Sequence, residues 1–141
     1  MYKKILLPTD GSGNAEKAAA QGIELASALG AEVIALYVID SSSFVSLPET
    51  FMWENVRELF EEEGKKALDS VKKTAKKHNV SVKAFIKEGS PAKEIVKTAE
   101  SEKVDLIVMG TAGRTGLDKF FLGSISEKVL RAASCPVLVM K

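Results

Sequence analysis

The chain has 141 residues, 45% of them apolar and 28% charged, with a formal net charge of +1. That length suits one domain over 1–141 with a substantial core, and the near-neutral balance gives no broad attraction to nucleic acid or an anionic membrane. One cysteine, Cys135, and one histidine, His78, exclude an internal disulfide, a clustered-cysteine metal site and a multi-histidine metal site.

The start, "MYKKILLPTDG", has too short an apolar stretch before Pro8 for a signal-peptide core. No apolar run approaches about 18 residues, the length a membrane-spanning helix needs. The expectation is a soluble cytoplasmic protein. The first strand is read at 4–9, "KILLPT". Residues 14–29 then put Ala15, Ala19, Ile23, Ala26 and Leu29 on one helical face, and Gly30 supplies a stop. A second strand follows at 32–39, "EVIALYVI". The serine-rich segment 40–50 carries Phe44, Val45 and Leu47 and reads equally as a lid, a partner contact or a mobile loop. Residues 50–78 form a long helix with Trp53, Val56, Phe60, Ala67, Val71 and Ala75 on one stripe. Its glutamates precede its lysines, as the helix dipole favours, with Glu61–Lys65 and Glu62–Lys66 as i,i+4 pairs. The lysine run therefore reads as a solvated face.

A third strand at 82–88, "VKAFIKE", alternates as an edge strand does. The next helix has Ser90 as cap and Pro91 at its first position. A fourth strand lies at 104–110, "VDLIVMG". In the fourth helix Ser124 and Glu127 have capping-box spacing. The last strand is "PVLVMK", 136–141. The second, fourth and fifth runs are nearly continuous, which suits strands covered on both faces. Strand and helix alternate throughout. Right-handed crossovers then give an α/β fold, an open five-stranded parallel sheet with helices on both faces.

In such a sheet a ligand sits beyond the carboxyl ends of the strands, where their order reverses. If the first strand is central, the first and fourth become neighbours. The loops after these two, "PTDGSG" and "GTAGRTGLDKFFLGS", are the glycine-rich ones. In the second, Gly110 and Gly113 follow the strand, and Gly123 and Ser124 open the helix. Glycine allows close approach of backbone N–H groups, and a helix N-terminus favours an anion. Ser124 and Ser126 add hydroxyl donors and Arg114 a positive charge. A phosphate group is the natural occupant; a capped helix after a flexible loop is the plainer alternative.

A Walker A loop is excluded, because no glycine spacing here ends in Lys-Ser/Thr. A dinucleotide fingerprint is disfavoured, because Glu16 stands where the third glycine belongs. Asp10, at the tip of the first strand, has three readings. It holds ribose hydroxyls, faces a Mg²⁺ or Mn²⁺ that bridges phosphates, or is simply a turn residue.

Gly110-x₂-Gly113-x₉-Gly123-Ser124 resembles the nucleotide signature of the ATP-binding branch of the universal stress protein family. "KKILLPTDGS", "IALYVID", "VDLIVMGTAGRTGL" and "LGSISEKVLRAASCPVLVMK" are similar to that family too, so the resemblance covers essentially the whole chain. It implies a Rossmann-like, adenine nucleotide alpha hydrolase-like sheet in order 3-2-1-4-5. It also implies binding of ATP or AMP. Pro8, Thr9 and Asp10 would line the adenosine, and Val38 would offer backbone contacts to adenine. Met109 and Gly110 would lie beneath ribose and phosphates. Gly113, Gly123, Ser124, Ile125 and Ser126 would hold the phosphates. Ala112 stands where the family often has histidine or serine, which removes one side-chain contact. The resemblance further implies a homodimer paired through 136–141.

Hydrolysis needs a group that positions water. His78 reads as a surface residue, Asp118 as a solvated turn residue and Cys135 as a buried inert thiol. The first reading is thus a stress-response regulatory protein that binds adenine nucleotide with little or no catalysis. A weak ATPase or nucleotidyl-transfer enzyme is the second, weakened because "PTDGSGNA" lacks the histidine-rich signature of adenylyl-transferring relatives. A nucleotide-free partner-binding scaffold is the third.

Overall fold

The computed structural model describes residues 1–44, 50–111 and 122–141. In chain order the elements are β1 (Lys4–Pro8), α1 (Gly13–Leu29), β2 (Glu32–Asp40), a short 3-10 helix (Ser41–Phe44), α2 (Thr50–Lys77), β3 (Val82–Gly89), α3 (Pro91–Ser101), β4 (Leu106–Gly110), α4 (Ser124–Ala132) and β5 (Val137–Met140). The strands form one sheet in the order β3-β2-β1-β4-β5, every pairing parallel.

Why the apolar runs are continuous follows from the packing. Ile5 and Leu7 of β1, Val33, Ala35, Tyr37 and Ile39 of β2, and Leu106 and Val108 of β4 face one core with α1 and α2. The residues between them, Leu6, Ile34, Leu36, Ile107 and Met109, face a second core with α3 and α4. Strand side chains alternate faces, so a strand covered on both sides must be apolar at every position. α1 approaches this sheet closely at Gly22. A Cβ there would lie 2.5 Å from Leu7 Cδ2, so the mid-helix glycine is a packing residue. Gly30, with φ +66, ends the helix as expected.

Several expectations need correction. Leu29 is 45% exposed, not part of the apolar face of α1. The buried stripe is Ala15, Ala18, Ala19, Gly22, Ile23 and Ala26, and Leu29 lies off it. The fourth strand starts at Leu106, not 104. Asp105 spends its carboxylate on the backbone N–H groups of Lys3 (2.9 Å) and Lys4 (3.2 Å), which fixes the entry of β1 instead. β5 is not covered on both faces: it is an edge strand, and Leu138 is 38% exposed. On α2, Glu61 meets Arg57 one turn earlier (3.7 Å), and Arg57 also reaches Glu88 of β3 (2.9 Å).

Candidate nucleotide site

The carboxyl ends of β1 and β4 stand side by side, because Ile5 and Leu6 pair with Leu106 and Ile107. Each end is shaped by short hydrogen bonds. Beyond β1, the buried Thr9 donates its N–H to Leu36 O (2.9 Å) and accepts the Gly11 N–H on Oγ1 (3.1 Å). Asp10 Oδ1 accepts the Ser12 N–H (2.9 Å). Ser12 then caps α1 by accepting the Ala15 N–H (3.2 Å). Gly11 has φ +80 in the middle of this turn. The turn role of Asp10 is therefore real, and it holds the carboxylate at the tip of the central strand.

Beyond β4, Met109 is buried in the second core and Gly110 lies in register with Met140 of β5. Thr111 donates its N–H to Met140 O (3.0 Å) and accepts the Gly123 N–H (2.7 Å). Ser126 is 4% exposed, and its hydroxyl donates to Gly110 O (2.9 Å). Two successive carbonyls at the end of β4 thus hold the first turn of α4.

The expected capping box is absent. The N-cap is Gly123, at φ −59 and ψ 152, and it makes no side-chain cap hydrogen bond. Ser124 is already helical, so Glu127 falls one position too late to close a box. The Glu127 N–H donates to Gly123 O (2.9 Å), and its carboxylate pairs with Arg131 (3.1 Å). A helix cannot satisfy its own first N–H groups, and a glycine cap brings no oxygen to them. The N–H groups opening α4 are therefore disposed to receive an anion, with the helix dipole behind them. Ser124 is exposed beside them and Ile125 is 40% exposed.

Val38, on β2, is half-buried against the second core, two residues before Asp40. Asp40 accepts from the Ser42 N–H (3.1 Å) and the Ser42 hydroxyl, closing the strand's end. Gly113 and Arg114 lie outside the described residues, as do Ala112, Asp118, Val45 and Leu47.

One further feature of the site is not legible in the sequence. A cleft of about 540 Å³ opens between the β1–α1 turn and α2, lined by Asp10, Ser12, Glu16, Glu63, Lys66 and Ala67. Nothing in the α2 pattern marks Glu63 and Lys66 as neighbours of Asp10, since the meeting is set by helix packing.

His78 and Cys135 occupy the other end of the molecule. They stand just before β3 and β5, at the amino ends of strands. Cys135 is half-buried against the second core, and burial raises its thiol above its ordinary value. It is a poor nucleophile at neutral pH. Among the described residues, no helix is long and apolar enough to cross a membrane, and no three His, Cys, Asp or Glu side chains gather as a metal site.

A model of the universal stress protein family matches residues 1–141. Universal stress protein MJ0531 of Methanocaldococcus jannaschii is 51% identical, the match covering 100% of this chain and 83% of that one. The structure of hypothetical protein MJ0577 from the same organism superposes with a TM-score of 0.87 at 42% identity, over 100% of this chain and 96% of that one. A family protein from Arabidopsis thaliana, solved with AMP bound, shares the fold at a TM-score of 0.72 and 18% identity, over 99% of this chain and 91% of that one. Matched from end to end, and half identical to a named member, this chain belongs to the universal stress protein family.

Proposed function

We propose that the protein is a stress-response regulator that binds an adenine nucleotide, ATP or AMP, and turns it over slowly or not at all. The observation that carries this reading is the glycine-capped start of α4, hydrogen-bonded to the end of β4, which pairs with the central strand β1. AMP bound to the Arabidopsis relative shows that this fold accommodates an adenine nucleotide in another member. In the proposed pose Gly113, Gly123, Ser124, Ile125 and Ser126 hold phosphates through their N–H groups, with Arg114 adding charge. Met109 and Gly110 lie beneath the ribose. Pro8, Thr9 and Asp10 line the adenosine, and the Val38 backbone meets adenine.

Low turnover is favoured by where the chain's one histidine and one cysteine stand. The histidine and the cysteine are at the far end of the sheet, so neither is available to activate water. Among the described residues, Asp10 is the one proposed to face a metal ion. Asp10 is the carboxylate at this strand tip, and its Oδ1 already accepts from Ser12. A Mg²⁺ or Mn²⁺ accompanying the phosphates would take most of its ligands from phosphate and water, as Mg²⁺ commonly does.

The exposed apolar edge of β5 supports a homodimer in which that edge is covered by a second copy. Calorimetric titration with ATP tests the nucleotide reading, and sedimentation of the same sample tests the dimer. One saturable site per chain and a mass of two chains are expected. No binding of ATP, ADP or AMP would overturn the first, and a monomer the second.

A further inference from the structure

We infer that Ser126 is a positioning residue of the phosphate cradle, not one of its hydroxyl donors. The inference rests on the nucleotide reading above. A serine hydroxyl has one proton to give. Here it goes to Gly110 O at 2.9 Å, inside a site where Ser126 is only 4% exposed. What the hydroxyl oxygen has left is lone pairs, which repel a phosphate oxygen.

The bond has a mechanical consequence. Gly110 O and Thr111 O are successive acceptors at the end of β4. They hold Ser126 Oγ and Gly123 N, one turn apart on α4. With Val129 already packed in the second core, these two anchors set the distance and the rotation of the helix start, and losing one loosens its aim. The β4 side of the clamp is itself tied to β5, through the Thr111 N–H and Met140 O (3.0 Å). The N–H groups of Ser124, Ile125 and Ser126 are thereby aimed before any ligand arrives. Such preorganisation strengthens binding by lowering the cost of ordering the site.

Ser126→Ala separates this role from the alternatives. Loss of one buried hydrogen bond should lower the midpoint of thermal unfolding of the nucleotide-free protein by about 4 °C. At a temperature where both proteins are folded, the ATP dissociation constant should rise about fivefold. Adenosine, which has no phosphate to place, should bind both proteins equally. Ser126→Thr, which keeps the hydroxyl, should restore ATP affinity. A lowered midpoint with unchanged ATP affinity would make the bond merely structural and overturn the inference. So would weakened ATP binding with an unchanged nucleotide-free midpoint, the mark of a direct phosphate donor. Equal losses for adenosine and ATP, or a threonine variant as weak as the alanine one, would also overturn it. If the unaltered protein binds neither ligand, the nucleotide reading itself fails and the inference falls with it.

Discussion

Replacing both Gly113 and Gly123 with valine is expected to abolish ATP binding while leaving the sheet folded. Gly123 has φ −59, a conformation open to any residue, so valine there strains no backbone. The damage is local. An N-cap side chain projects towards the N–H groups of the first turn, which is why serine or aspartate there can accept from them. Valine puts methyl groups in that place and an anion is shut out. Hydrogen bonds to a charged group are worth about 1.5–3 kcal/mol each, so losing two costs about a hundredfold or more in affinity. Loss of the glycine cap costs the helix on the order of 1 kcal/mol at most. Titration with ATP checks the first effect and far-ultraviolet circular dichroism the second. Undiminished binding in the double variant would remove the phosphates from this loop.

Ile107→Ala carries the largest expected effect on stability. Ile107 is 0% exposed, lies between Leu6 and Val137 in the sheet, and faces the second core with Ile34, Met109 and Val129. Truncation leaves a cavity between a strand and two helices, at about 2–5 kcal/mol. That is a large share of the roughly 5–15 kcal/mol that holds a domain folded. Urea denaturation reads the loss as a lowered midpoint. Because Met109 and Gly110 follow on the same strand, ATP should recover part of it by binding the folded state alone. A loss below about 1 kcal/mol would mean that this core repacks around the gap.

Much of this architecture was legible because both faces of the inner strands are buried. "EVIALYVI" and "LIVM" are apolar at almost every position for that reason, and the alternation of "VKAFIKE" marked β3 as an edge. "PVLVMK" misled by the same rule, since an edge left bare in one chain also reads as a buried strand. Local patterns carried less. Ser124 and Glu127 have the spacing of a capping box, yet the chain enters α4 one residue earlier, at Gly123. The glycine spacing located the candidate site, but not the clamp that orients it. Gly110 and Ser126 are sixteen positions apart, and no propensity or period links a serine hydroxyl to a carbonyl across that interval. Gly22 and Gly64 were equally silent. Each looks like a flaw in a helix until Leu7 and the Tyr37 ring are seen where a Cβ would have to go.

If the end of β4 and the start of α4 hold the phosphates of an adenine nucleotide, that nucleotide should be retained through purification. The most direct measurement is to denature the freshly purified protein and identify the released small molecules by chromatography and mass spectrometry. An adenine nucleotide at about one per chain is expected, and its phosphate count will report on turnover. A protein that releases none, and that shows no binding when ATP is added, would rule out a phosphate site at this loop and leave a nucleotide-free scaffold for other proteins as the better description.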